Sequence, residues 1–343
     1  MWSHVLVTGG GGFIGSHLTE QLLRCGASVS VLDDGSTGPL EELPRHPRLS
    51  LHEGSVLNAG SLRRAADGAA AVFHLAGVVG MRLASLERER AYSVAVEGTR
   101  RVLAATPDLP IVLFSSSAVY GFRNDVPLPE DAAVNASELL DYDGGAPGYA
   151  TGKGQLERLG HEAAARGRDV LIVRPYNIVG SRQSARYGMV LPTFVKQALQ
   201  GRPLTIFGDG TQQRSFGDVS TFVDALLKIA RDPGAWDPDR RVINIGNPKP
   251  ISIYDLAQLV IRETRSAAGV RFIPYDRIYP GRRDVLERVP HVKRLRNWIG
   301  DPGWREMDDV VQALCREGQA AARGASAGSK SSSVASSGRR FAT

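Results

Sequence analysis

Three groups of residues in this chain have the types and the spacing that chemistry requires. Thr8-Gly-Gly-Gly-Gly-Phe-Ile-Gly15 places glycines at 9, 12 and 15 between an apolar run, His4–Thr8, and an amphipathic stretch that begins at Phe13. In such a pattern Gly9 makes a tight turn and Gly12 lets a pyrophosphate approach the backbone. Gly15 lets helix and strand pack closely, and the helix N-terminus aims unpaired N–H groups at the phosphates. Asp33 ends the next apolar run about 20 residues on, where a carboxylate accepts from a ribose 2′-hydroxyl. That carboxylate repels a 2′-phosphate, and no Arg lies between Asp33 and Gly38, so the cofactor predicted is NAD rather than NADP. The second group is Tyr149-Ala-Thr-Gly-Lys153. It opens a predicted helix and sets a phenol and an ammonium one turn apart on one face. A free tyrosine titrates near pH 10, and the ammonium, helped by a positive nicotinamide ring, is expected to lower that value toward the range of a working base. The third group is Ser115-Ser-Ser117, at the end of a predicted strand on the carboxyl edge of a sheet, where ligands bind. Each group alone is a weak signal; in this order they support one another.

Together with His74-Leu-Ala-Gly77, Ser115-Ser-Ser-Ala-Val-Tyr-Gly121, Arg174-Pro-Tyr-Asn177, Tyr187-Gly-Met-Val-Leu-Pro192, Phe207-Gly-Asp-Gly-Thr-Gln-Gln-Arg-Ser-Phe216 and Asn244-Ile-Gly246, these segments resemble the extended short-chain dehydrogenase/reductases. The likeness is to their nucleotide-sugar epimerase/dehydratase group and runs roughly from residue 4 to 315. It implies a catalytic set of Ser116, Tyr149 and Lys153, with Ser116 bonding the reacting sugar oxygen and Lys153 the nicotinamide ribose. Cofactor contacts are implied at Gly9, Gly12, Phe13, Ile14, Gly15, Asp33, Ser55, Val56, Leu75, Ala76, Gly77, Tyr149, Lys153 and Tyr176. Substrate contacts are implied at Ser116, Ser117, Asn177, Val190 and Arg214, the last on diphosphate oxygens. Arg288 reads either as a further substrate contact or as a solvated charge. No metal is implied.

The step common to the group is oxidation at sugar C4, with Tyr149 taking the hydroxyl proton and NAD the hydride. The group's 4,6-dehydratases carry an Asp and a Glu where this chain has Ser117 and Ala118, and its UDP-glucuronate decarboxylases usually carry Glu at the second position. Ala118 therefore points to an isomerase, a 4-epimerase of a UDP-hexose or UDP-hexuronate. The alternative is a lyase, a UDP-glucuronate decarboxylase, which Tyr187–Phe216 and Asp284–Pro290 resemble equally. A non-catalytic NAD-binding regulator is the third reading, and the intact Ser116, Tyr149 and Lys153 speak against it. Ser55, Ala95 and His291 depart from residues frequent in the group, and Ser55 replaces an Asp that binds adenine.

The elements that must position these residues alternate. Strands are predicted at His4–Thr8, Val29–Leu32, Leu49–His52, Ala71–Ala76, Ile111–Ser115 and Val170–Arg174, with helices at Phe13–Cys25, Ala59–Ala66, Glu89–Ala105 and Tyr149–Ala165 between them. That rhythm predicts an α/β protein: a Rossmann-type doubly wound parallel sheet over 1–176, with 217–245 returning to it. A smaller C-terminal α/β substrate-binding region is expected from 177–216 and 246–320. Residues 321–343, rich in Ala, Ser, Gly and Lys, are expected to be a disordered tail. The helices Glu89–Ala105 and Tyr149–Ala165 carry apolar residues beyond one stripe, and in the resembling family they pair across a two-fold axis. A homodimer is expected.

Composition sets outer limits. The 343 residues are 42% hydrophobic, ample for a large core. Lys and Arg number 42 against 36 Asp and Glu, a net charge of +6 spread along the chain without a basic block that would suit nucleic acid. The charge suits small phosphate-bearing ligands. Two distant cysteines, Cys25 and Cys315, form no disulfide or metal framework, and no apolar run spans a membrane. A soluble cytoplasmic protein is expected.

Overall fold

A computed structural model describes residues 2–332 of the 343. Seven strands form one parallel sheet in the spatial order Val242–Ile245, Val170–Pro175, Ile111–Phe114, Ala71–His74, His4–Thr8, Ser28–Asp33, Leu49–Glu53. The chain order reverses at His4–Thr8, whose two neighbours are Ser28–Asp33 and Ala71–His74. Ligands bind in the crevice outside the carboxyl ends of strands at such a reversal.

The strands read as continuous apolar runs because both faces are covered, and side chains alternate between the two faces. Val5, Val7, Val29, Val31 and Phe73 join Leu18, Leu22, Phe222 and Leu226 in one core, under the helices Phe13–Arg24 and Val219–Arg231. Leu6, Leu32, Val72, Ile111 and Leu113 face the other way, against Leu62, Val102 and Leu156 of the helices Ala59–Ala66, Thr99–Ala105 and Tyr149–Ala165. A separate core of Leu191, Phe194, Leu204, Ile206, Leu256, Val260 and Val311 holds the C-terminal elements together. There Leu204–Phe207 pairs with Val270–Ile273, while Gln213–Ser215 lies between Pro250–Ser252 and Glu287–Arg288.

Three expectations are corrected. The helix predicted over Glu89–Ala105 is α-helical at Arg88–Ser93, π-helical at Val94–Gly98 and α-helical again at Thr99–Ala105. The wider π turn comes where Ala95 packs on Gly152 of the neighbouring helix; a Cβ at 152 would lie 3.1 Å from that of Ala95. The apolar residues of the Tyr149–Ala165 helix, Leu156, Leu159 and Ala163, are covered within the subunit, which leaves Arg158 and His161 as its exposed face. The tail expected to be disordered from 321 is helical as far as Ser332, in a helix that starts at Met307; its alanines favour that state. The rest of that tail lies outside the described residues. Among the described residues, no helix is long and apolar enough to cross a membrane.

Candidate active site

The site is one cavity of about 610 Å³ along the carboxyl ends of the sheet strands. Its first wall is the glycine loop. Gly9 has φ +73°, and a Cβ there would lie 2.6 Å from Ala76 N; a Cβ on Gly15 would lie 2.0 Å from Gly9 O. These positions admit only glycine. Gly12, the N-cap of the helix Phe13–Arg24, brings no side chain, so the amide end of the helix with Phe13 and Ile14 opens onto the cavity. Such an end suits a pyrophosphate.

Asp33 lines the cavity beside this loop. Its Oδ2 accepts from Gly11 N–H at 2.9 Å and its Oδ1 from Gly35 N–H at 2.8 Å. Burial pushes its carboxyl above the ordinary value, while the two amides pull it down. Arg90, distant in sequence, also lies here, but it is held by Asp34 at 3.1 Å and Glu87 at 2.7 Å. Ser55, Val56, Leu75, Ala76 and Gly77 complete this half of the lining. Behind it, His74 Nδ1 lies 2.7 Å from Thr8 Oγ1 and His74 Nε2 lies 3.1 Å from Thr99 Oγ1. Thr99 gives its own proton to Ala95 O, so His74 Nε2 donates. Burial holds His74 neutral, its pKa lowered to about 3. The glycine cradle, the open helix end and the carboxylate fit NAD.

Tyr149, Ser116 and Lys153 meet at the far end of this half. Tyr149 and Ser116 both line the cavity here, and Lys153 Nζ lies 5.9 Å from the Tyr149 ring centre. Lys153 is buried and donates to Phe114 O at 2.6 Å. Burial lowers its pKa to about 8. The expected electrostatics change here. Burial pushes the Tyr149 phenol up, and the group pulling it down is Ser116 rather than the lysine. Ser116 is held from behind: its neighbour Ser115 donates to Glu157, which forms a fully buried ion pair with Arg174 at 2.7 Å.

Tyr176 is not where the sequence reading put it. Its side chain is fully buried beside Tyr120, ring centres 6.1 Å apart, while its neighbours Pro175 and Asn177 line the cavity. Successive residues leaving a strand point to opposite faces, and Tyr176 takes the inner one.

The substrate half is built by the C-terminal elements. Asn177, at φ +37°, donates from Nδ2 to Ser215 O at 3.1 Å, and Val190 opens the helix Val190–Leu199 over the cavity. Arg214 faces Asp284 at 3.4 Å. Arg288 is no solvated charge: it is 4% exposed and donates to the carbonyls of Ser117 (3.0 Å) and Gly121. Arg282, Arg283 and Asp143 also line this half and were missed from the sequence, because no short-range spacing marks them. Among the described residues the cavity is lined by seven arginines, at 88, 90, 182, 214, 282, 283 and 288, and by four aspartates, at 33, 34, 143 and 284. Such a surplus suits an anionic ligand. Beside Ser116 stands Ala118, whose N–H donates to Ser116 Oγ at 3.1 Å and whose methyl brings no acid or base.

The chain as a whole is similar to known proteins. The chain is 32% identical over 306 residues to a UDP-N-acetyl-alpha-D-glucosaminuronate decarboxylase of Bacillus cytotoxicus, covering 86% of this chain and 91% of the relative. A UDP-N-acetylglucosamine 4-epimerase from Methanobrevibacter ruminantium, solved with UDP-N-acetylmuramic acid, superposes with a TM-score of 0.79 at 26% identity, covering 92% and 97% of the two chains. MoeE5, solved with UDP-glucuronic acid and NAD, gives 0.77 at 27% identity, covering 93% and 99%. Residues 5–246 match the family model, and the chain belongs to the NAD dependent epimerase/dehydratase family.

Proposed function

We propose that this protein is a nucleotide-sugar 4-epimerase acting on a UDP-sugar through a transient 4-ketone. Tyr149, as phenolate, takes the proton of the C4 hydroxyl and becomes phenol, while Ser116 hydrogen-bonds the same oxygen. NAD, when bound, supplies the acceptor for the C4 hydride and its return. Lys153 holds the ribose side of the site, and Arg214 and Arg288 receive the diphosphate. The observation that carries the reading is the lining beside Ser116. A ketone that is simply reduced from its other face needs no further acid or base, and Ala118 offers none. The four cavity aspartates are otherwise engaged: Asp33 and Asp34 at the adenosine end, Asp284 on Arg214, and Asp143 on the first-turn amides of the Tyr149 helix.

Decarboxylation is the second reading, favoured by the 32% identity to a uronate decarboxylase. A 4-keto uronate is a β-keto acid, so losing carbon dioxide from it is easy; the enolate left behind must then be protonated at C5. Ala118 lacks the group for that step. Incubation with UDP-glucose, UDP-N-acetylglucosamine, UDP-glucuronate and UDP-N-acetylglucosaminuronate, read by mass spectrometry, separates the two. The expected product conserves mass and, in deuterated water, carries no deuterium at C4. A product lighter by carbon dioxide sinks the epimerase reading and leaves the cofactor site standing.

A further inference from the structure

The helix that carries Tyr149 has only half a cap of its own: Thr151 Oγ1 accepts from Gly148 N–H at 2.7 Å, but the N-cap residue brings no side chain to the first-turn amides. Its N-cap is Gly148, in a tight position: a Cβ there would lie 3.1 Å from the carboxyl carbon of Asp143 and 3.2 Å from Arg88 Cγ. A first turn that lacks an N-cap side chain leaves several N–H groups without partners. Here the partner comes from outside the helix, six residues before Tyr149. Asp143 Oδ1 accepts from Ala150 N–H at 3.1 Å, and Oδ2 accepts from Thr151 N–H and Thr151 Oγ1–H, both at 2.8 Å. The Asp143 carbonyl is pinned in turn by Arg282 Nη2 at 3.1 Å. Asp143 is 7% exposed and lines the cavity.

We propose that Asp143 is a positioning residue for the reaction: it fixes the first turn from which the Tyr149 phenol projects, and it supplies the negative charge against which that phenol ionises. The inference rests on the reading of Tyr149 as the base. The other groups around the phenol are known. Ser116 reaches it from the strand end and Lys153 from its own helix. Tyr142 stands beside it, with Arg288 Cζ 5.9 Å from the Tyr142 ring, and Arg88 packs at Gly148 on the neighbouring helix. Burial is the largest influence raising the Tyr149 pKa, with Tyr142 and Asp143 adding to it and Ser116 opposing. Asp143 also offsets the positive end of the helix, which by itself would favour phenolate. A carboxylate so placed raises the pH at which the phenol ionises.

The test uses the NAD-loaded full chain as wild type, Asp143→Asn, Asp143→Ala and Tyr149→Phe. Turnover is followed against pH with whichever of UDP-glucose, UDP-N-acetylglucosamine and UDP-glucuronate reacts fastest, and amide exchange is read at residues 150 and 151. Asp143→Asn keeps an acceptor oxygen but loses the charge. The rising limb of kcat should move to lower pH by about half a unit or more, with KM within about twofold. Asp143→Ala should lower exchange protection at 150 and 151 by about tenfold, the scale of a lost cap, with Asp143→Asn restoring most of it. An unmoved limb in Asp143→Asn, or full protection in Asp143→Ala, overturns the proposal. Near-normal turnover in Tyr149→Phe overturns the base assignment instead, and the exchange result then still decides the cap.

Discussion

At the scale of single residues, the cavity assigns different work to groups that look alike in sequence. Tyr149 and Tyr120 both lie near the sheet edge, yet Tyr120 is locked by Arg174 at 2.9 Å and Asn244 at 2.8 Å, while Tyr149 faces the cavity. In the proposed reading, Tyr149→Phe removes the acceptor for the C4 proton with little change in packing. Turnover should fall about 10²-fold or more while NAD content, read after denaturation, stays near wild type. Lys153→Met should lose activity and weaken NAD as well, because in the proposed reading the ammonium serves both the site and the ribose. Turnover near wild type in either variant would remove the residue from the mechanism. Asp33 carries its own prediction. With its carboxylate at the ribose end and Arg90 occupied by Asp34 and Glu87, calorimetry should give NAD at least about tenfold tighter binding than NADP, the scale of one lost charge-assisted contact. Equal affinities would sink that assignment.

At the scale of elements, the parts legible in the sequence are those fixed by short-range geometry. A glycine turn, a strand end and a four-residue step on a helix place Gly9, Gly15, Asp33, Tyr149 and Lys153 with no knowledge of the rest of the chain. What escaped is set by long-range pairing. Glu287–Arg288 is a two-residue strand whose register on Gln213–Arg214 buries Arg288, and nothing in its own sequence marks it as a strand. Asp143 sits too far before its helix for a cap spacing. His74 is intermediate, since its motif is visible but its charge state follows only from burial between two strands and a helix. That burial has a consequence for pH. An unfolded chain protonates His74 near pH 6.5, whereas the folded chain resists until about 3, so stability contributed by the neutral ring is present above 6.5 and is lost as pH falls toward 3. The melting temperature should drop between pH 7 and pH 5, and His74→Gln, which can still bond Thr8 and Thr99, should show a smaller drop. An equal drop in both proteins would place the acid sensitivity elsewhere.

At the scale of the whole molecule, the helices Arg88–Ser93 and Tyr149–Ala165 pack side by side through Gly152, with Ala95 of the π turn between them, and present a common outer face. We propose that this face pairs with a second copy. It is polar, with Arg158 bonded to Glu162 one turn on and His161 exposed beside them, because the apolar residues of the helix are already spent on the core of the subunit. A dimer built on such a face draws on exchanged ion pairs more than on apolar burial, and exposed pairs are screened by salt, with a Debye length of about 8 Å at physiological ionic strength and about 3 Å at 1 M. Light scattering at micromolar concentration should report a dimer in low salt and a larger monomer fraction in 1 M salt. Arg158→Glu sets like charges against Glu162 across one turn and against the partner's copy of the same face, and should shift the equilibrium to monomer. Because Arg158 lies outside the cavity lining, NAD content should not change with it. A wild-type monomer in low salt, or a dimer indifferent to both salt and Arg158→Glu, would mean that the face is simply solvated and that each site works alone.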